Sequence, residues 1–121
     1  MVLVDTSIWI NHFRSGNDRL EKLLDAQKVL GHPFVVGEIA LGELSNIPTI
    51  LKDLGSLPAA AVATDTEVLR FIADQSLAGQ GVGLIDVHLL AATFLTLGSK
   101  LWTLDRKLFA VAARMKIAHD P

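Results

Sequence analysis

The chain has 121 residues, half of them hydrophobic and a fifth charged, with a formal net charge of −2. This length and composition suffice for one buried core, so we expect a single domain over residues 1–121 and exclude a disordered chain. The absence of cysteine excludes disulfides, thiolate metal sites and a thiol nucleophile, so any metal ligand must be oxygen or imidazole.

Nothing in the sequence points to a membrane. The longest apolar stretch, residues 87–97, is about half the length that a bilayer span requires. The first residues also lack the basic region and long apolar core of a signal peptide. We therefore expect a cytoplasmic protein.

The first half of the chain is predicted to alternate strands and helices. An apolar run over residues 2–4 ends at Asp5, and apolar residues then recur at helical spacing, which predicts a strand followed by a helix. A second helix begins at Asn17, and residues 27–30 are predicted as a second strand. Residues 34–44 are apolar nearly all round at helical length, which predicts a buried helix.

The second half continues the same alternation. Residues 59–63 are predicted as a short third strand. Thr64 and Glu67 have the spacing of a capping box, which predicts the start of an amphipathic helix. A glycine-rich connection follows, with Gly79, Gly81 and Gly83.

The last third of the chain contains two more predicted helices. The first follows Asp86, and we expect three apolar residues at helical spacing to face the core: Leu90, Phe94 and Leu97. Residues 101–104 are predicted as a strand, Asp105 as the start of the last helix, and residues 116–118 as a final strand.

Short strands that alternate with helices predict an α/β fold with a mainly parallel sheet, because helical crossovers usually join parallel neighbours. Active sites in such sheets gather at the carboxyl ends of the strands. Asp5 and Asp105 both follow predicted strands. Each can act as a helix cap or as part of an active site, and local sequence does not decide between these roles.

Two other acids lie on apolar faces of predicted helices. Glu38 and Asp86 have no lysine or arginine three or four residues away. A carboxylate in such a setting must find a partner or a cation, or become protonated. Glu43 also lies among apolar residues, and spacing alone does not rank it below Glu38. A hard divalent cation such as Mg²⁺ would offset the repulsion among several such acids.

Four segments of the chain contain these acids. They read Val-Leu-Val-Asp5-Thr-Ser-Ile-Trp-Ile, His32-Pro-Phe-Val-Val-Gly-Glu38-Ile-Ala-Leu-Gly, Gly83-Leu-Ile-Asp86-Val-His-Leu-Leu-Ala and Leu101-Trp-Thr-Leu-Asp105-Arg-Lys-Leu. In order and spacing, these segments resemble the motifs of VapC-type PIN-domain ribonuclease toxins of type II toxin–antitoxin systems. The resemblance runs through essentially the whole chain.

The resemblance implies a single PIN domain with a three-layer α/β/α fold around a central, mainly parallel sheet. It implies a metal-dependent endoribonuclease that hydrolyses RNA with water activated by Mg²⁺ or Mn²⁺, and a cognate antitoxin as partner. Asp5, Glu38, Asp86 and Asp105 would form the catalytic and metal-binding quartet, with Asp5 and Asp86 as direct ligands. Thr6 and Thr103 occupy positions where the family often has a supporting hydroxyl. We also expect a homodimer.

Charge and the remaining polar residues are compatible with this interpretation. Setting the four acids aside turns the net charge of −2 into +2, which is compatible with RNA binding. Arg106 and Lys107 can contact phosphate or simply face solvent, and Ser7 lacks the His and Asp partners of a nucleophile.

Two alternatives have different chemistry. A phosphoacceptor receiver domain requires an adjacent acidic pair after the first strand and a lysine late in the chain, whereas Asp5 stands alone. A PIN-like interaction module would use its carboxylates only for structure.

Overall fold

The computed structural model describes all residues, 1–121, as a small parallel sheet flanked by seven helices. The strands are β1 (Val2–Val4), β2 (Val29–Leu30) and β3 (Lys100–Trp102), in the order β2-β1-β3. Both pairings of β1 are parallel, and Leu3 lies opposite Leu30 on one side and Leu101 on the other. The predicted mainly parallel α/β fold is therefore confirmed.

The helices connect the strands and cover the sheet. Their bounds are α1 (Thr6–Ser15), α2 (Asp18–Asp25), α3 (Pro33–Ala40), α4 (Ile47–Gly55), α5 (Asp65–Asp74), α6 (Leu84–Leu95) and α7 (Arg106–Arg114). The Thr64 capping box opens α5 as predicted, and Asp105 is the N-cap of α7. No helix is both long enough and apolar enough to cross a bilayer.

Two predicted strands are reduced to single bridges at the edges of the sheet. Residues 59–63 contribute only Ala59, which pairs in parallel with Gly31. The alanines that follow have low strand propensity, which fits so short a pairing. Residues 116–118 contribute only Ala118, paired with Leu101. Lys116 has a left-handed φ of 62°, so an extended strand cannot begin there.

The core is built on β1, whose three residues are all buried. A central parallel strand has side chains packed on both faces, which is why Val2–Val4 reads as a continuous apolar run. The carboxyl end of this strand is fixed beside that of β3, because the Asp5 backbone N–H donates to the Trp102 carbonyl at 2.9 Å. The fold thus brings the residues that follow β1 and β3 to one edge of the sheet.

The prediction of a fully buried helix over residues 34–44 is wrong. The helix α3 ends at Ala40, and only Val35 and Ile39 are buried on it. Phe34 is 37% exposed and Leu41 89% exposed. A helix that covers one face of a sheet buries one side, and an apolar composition all round does not supply neighbours for the other side.

The predicted inward stripe of α6 is also only partly right. Leu90 is fully buried, but Phe94 is 55% exposed and Leu97 is 100% exposed. The continuously buried part of the helix runs from Val87 to Thr93. Because α6 ends at Leu95, Leu97 lies beyond the helix and its spacing no longer defines a face.

These two leucines provide a matched test of the packing. We expect Leu90→Ala to lower the free energy of unfolding by about 2–5 kcal/mol, because it leaves a cavity in the core. Leu97→Ala should change it by less than about 0.5 kcal/mol, since nothing packs on that side chain. Urea unfolding of both variants measures the difference, and an equal cost for both would contradict the placement of α6.

Candidate active site

The four predicted site acids lie at the starts of two helices, at the end of β1 and on α3. Asp5 follows β1 directly and precedes α1. Glu38 lies in the second half of α3, and Asp86 in the first turn of α6. Asp105 lies between β3 and α7 as the N-cap residue. Three of these positions, those of Asp5, Asp86 and Asp105, depend on where a strand or helix begins or ends.

Asp5 is a buried carboxylate held by hydroxyl groups. Only 7% of the residue is exposed, and its side chain does not cap α1. Instead, Ser7 Oγ and Thr103 Oγ1 donate hydrogen bonds to the same oxygen, Asp5 Oδ2, at 2.7 and 2.8 Å. The cap interpretation of the Asp5 side chain is therefore wrong. Its negative charge is stabilised by two neutral donors, and Oδ1 is left for another partner.

Ser7 and Thr103 extend this contact into the loop after β3. Ser7 Oγ accepts a hydrogen bond from the Leu104 backbone N–H at 3.0 Å. Thr103 Oγ1 accepts one from the Asp105 N–H, also at 3.0 Å. The two hydroxyls therefore connect the start of α1 to the start of α7 and fix Asp105 relative to Asp5.

Ser7 is a site residue that the sequence does not predict in this role. As a nucleophile it has no partners, whereas the structure shows it as a hydrogen-bond donor to Asp5. The signal that was available is its spacing, because a hydroxyl two residues after an aspartate can hydrogen bond to that carboxylate.

Glu38 is positioned by a contact between two helices. Thr6 Oγ1, at the start of α1, donates a hydrogen bond of 2.7 Å to Glu38 Oε1 on α3. Thr6 thus contacts one site carboxylate and Thr103 another, at the two positions where a supporting hydroxyl was expected. The half-buried Glu38 keeps its second oxygen, Oε2, for other partners.

Asp86 and Asp105 both accept hydrogen bonds at helix starts. Asp86 Oδ2 accepts from the Gly83 N–H at 3.1 Å, ahead of α6. Asp105 Oδ1 accepts from the Leu108 N–H at 2.9 Å and caps α7, as the cap interpretation of this residue predicts. A carboxylate at a helix N-terminus is also favoured by the helix dipole. These bonds fix both side chains near the carboxyl edge of the sheet.

The other three carboxylates act electrostatically on Asp86. Burial raises the pKa of Asp86, and the negative charges of Asp5, Asp105 and Glu38 raise it further, against the lowering effect of the Gly83 hydrogen bond. Glu43 is not among these charges. It is exposed and lines a separate cavity with Phe13 and Arg14, which favours Glu38 over Glu43 as the site acid.

The structure does not assemble a finished metal centre. No three acidic or histidine side chains are grouped closely enough to hold a metal ion between them. The assignment of the quartet as metal ligands and catalytic residues therefore stays a prediction. The donor set nevertheless fits a hard cation such as Mg²⁺, because it offers carboxylate oxygens whose mutual repulsion a divalent charge would relieve.

Comparison with known proteins connects this geometry to a family. Residues 2–114 match the PIN domain. The chain is 40% identical over 118 residues to Ribonuclease VapC32 of Mycobacterium tuberculosis, in strains CDC 1551 / Oshkosh and H37Rv, covering 98% of this chain and 95% of the relative. It also shares its fold with a chain of FitAcB from Neisseria gonorrhoeae, with a TM-score of 0.63, 18% identity, and coverage of 98% and 95%.

Two serine substitutions in α1 test whether the hydroxyl network around Asp5 stabilises the fold. Ser7→Ala removes a donor to a buried charge and should lower the free energy of unfolding by about 1–3 kcal/mol. Ser15→Ala, at the exposed end of the same helix, should have almost no effect. Thermal unfolding in the absence of metal measures both, and a neutral Ser7→Ala would show that the network does not hold the site.

The raised pKa of Asp86 predicts a pH-dependent stability. Between the ordinary aspartate pKa and the raised folded pKa, the folded chain binds more protons than the unfolded chain, so stability falls as pH rises through this window. We expect metal-free Asp86→Asn to be more stable than the wild type at pH 7. The difference should shrink as the pH falls towards the ordinary aspartate pKa. Unfolding temperatures measured from pH 7 to pH 4 test this, and a difference independent of pH would contradict it.

Proposed function

The chain belongs to the PIN-domain family, of the VapC type, and from that premise we propose that it is a metal-dependent endoribonuclease acting as the toxin of a type II toxin–antitoxin pair. The observation that carries the proposal is the buried Asp5, whose carboxylate accepts hydrogen bonds from two hydroxyl groups and whose negative charge, with those of Asp105 and Glu38, adds to the raised pKa of Asp86. The 40% identity to a ribonuclease over nearly the whole chain supports RNA as the substrate.

The residues present fit a magnesium or manganese ion. Asp5 and Asp86 would hold it, because Asp5 has Oδ1 available and the Asp86 carboxylate bears the repulsion of the others. When bound, the ion would lower the pKa of a water molecule and stabilise negative charge on the phosphoryl oxygens.

The remaining acids are assigned to proton transfer and positioning. Thr6 holds Glu38 at Oε1, which leaves Oε2 to accept the proton of the attacking water. Asp105 is less suited to that step, because its charge caps α7 and protonation would weaken the cap. Its role is to add negative charge at the site and to keep the start of α7 in place. We expect products with a 5′-phosphate and a 3′-hydroxyl.

The partners follow from the same premise. We propose a cognate antitoxin protein that blocks RNA cleavage in the cytoplasm, and a homodimer as the functional form. Co-expression with the product of the adjacent reading frame tests the antitoxin partner. The mass of the purified chain in solution tests the homodimer.

The two alternative functions differ from this proposal in specific ways. In the receiver fold the third strand lies away from the second, in the order 2-1-3-4-5. Here the chain's third extended segment, at Ala59, pairs beside β2. A PIN-like module without activity would retain the fold but would not cleave RNA, so only an assay of cleavage separates it from the enzyme.

The proposed function predicts that Asp5→Asn abolishes Mg²⁺-dependent cleavage while the fold is retained. Asparagine keeps an oxygen that accepts from Ser7 and Thr103 but loses the charge that a cation requires. We expect the cleavage rate of total cellular RNA to fall at least about a hundredfold, and cleavage by the wild type to stop on addition of EDTA.

Asp65→Asn is the matched control, because Asp65 is an exposed aspartate in the first turn of α5. It should cleave RNA at the wild-type rate. An Asp5→Asn variant that cleaves as fast as this control would contradict the proposed function.

A further inference from the structure

The side chain of Lys107 lies across the backbone of Gly81. A Cβ atom at position 81 would stand 2.6 Å from Lys107 Cδ and 3.1 Å from its Nζ. Gly81 also has a φ of 79°, a conformation that favours glycine. The absence of a side chain at Gly81 therefore leaves the space that the lysine occupies, and the positive φ separately favours glycine there.

This contact joins the two segments that carry Asp86 and Asp105. Lys107 is two residues after Asp105, in the first turn of α7. Gly81 is two residues before Gly83, whose N–H donates to Asp86. The Lys107 side chain therefore spans from the first turn of α7, which follows Asp105, to the loop before α6, which leads to Asp86.

The position of Lys107 in its helix is electrostatically unfavourable. The N-terminus of a helix carries partial positive charge and disfavours cations. The first turn of α7 contains no acidic residue and begins with Arg106 and Lys107, so the Asp105 N-cap is the one carboxylate at this helix start. Lys100 and Arg114 donate to backbone carbonyls, but no such hydrogen bond engages Lys107.

We propose that Lys107, laid across Gly81, is a phosphate-binding residue for the RNA backbone beside the reacting bond. This inference rests on the proposed function. Four carboxylates repel a polyanion, so a ribonuclease site of this kind needs positive charge at its margin. Lysine provides a compact charge for a phosphate oxygen.

A purely structural role for Lys107 is the rival explanation, in which the stem packs on Gly81 and the charge is irrelevant. Lys107→Met separates the two roles, because methionine keeps an unbranched stem and removes the charge. Lys107→Arg keeps the charge. Lys28→Met is the control for loss of one positive charge, since the exposed Lys28 precedes β2 at the opposite, amino edge of the sheet.

The experiment measures binding of a fluorescein-labelled single-stranded RNA in EDTA, between about 50 and 200 mM KCl. Loss of one phosphate contact should reduce the slope of log affinity against log salt by about 0.7, which is about a fivefold weaker affinity at 0.1 M salt. We expect this change for Lys107→Met, and wild-type slopes for Lys107→Arg and Lys28→Met.

A pair of glycine variants gives independent evidence. Gly79 and Gly81 both have positive φ, 75° and 79°, but a Cβ at Gly79 meets nothing within 4 Å. Backbone strain is therefore similar in Gly79→Ala and Gly81→Ala, and only the latter displaces Lys107. We expect Gly81→Ala to weaken RNA binding relative to Gly79→Ala, and to have no further effect when combined with Lys107→Met. If Lys107→Met does not fold, this pair alone decides the question.

The outcomes distinguish this inference from the proposed function. Wild-type cleavage of RNA, together with an unchanged salt slope in Lys107→Met or an equal affinity of the two glycine variants, would overturn the role of Lys107 and leave the ribonuclease intact. A wild-type chain that neither binds nor cleaves RNA in Mg²⁺ would overturn the proposed function and this inference with it.

Discussion

The structure depends on keeping negative charge at the carboxyl edge of a buried parallel sheet. Asp5 follows a strand whose residues are all buried, and it remains almost inaccessible itself. A buried carboxylate is costly unless it accepts hydrogen bonds or meets a cation. The chain contributes hydroxyl groups and not a lysine or arginine. These hydrogen bonds stabilise the buried Asp5 carboxylate enough for the chain to fold. They leave its negative charge available to a metal ion.

The hydroxyl groups also determine the geometry around that charge. Ser7 and Thr103 engage one oxygen of Asp5 and at the same time bind the backbone of the loop before α7. Thr6 Oγ1 on α1 donates to one oxygen of Glu38 on α3. Neutral donors position the carboxylates without cancelling their negative charge. A cationic partner would cancel it. Burial raises the pKa of Asp86, and the resulting excess of negative charge raises it further.

Much of this arrangement was predictable from sequence, and the failures have physical causes. The strand at Val2–Val4, the capping box at Thr64 and the cap at Asp105 are local patterns, and all three are confirmed. Burial of α3 and of the end of α6 was overestimated, because an apolar side chain is buried only where another element covers it. The hydrogen bond from the Leu104 N–H to Ser7 and the position of Lys107 over Gly81 join residues far apart in the chain, so local spacing carried little sign of them.

The central claim is that these carboxylates hold a divalent cation. The most direct test is the anomalous diffraction of Mn²⁺ in crystals of the wild-type chain grown in saturating MnCl₂. The account predicts a manganese peak coordinated by one oxygen of Asp5 and one of Asp86, within about 2.3 Å of each. A peak at another position, or none within reach of Asp5 at saturating Mn²⁺, would contradict it.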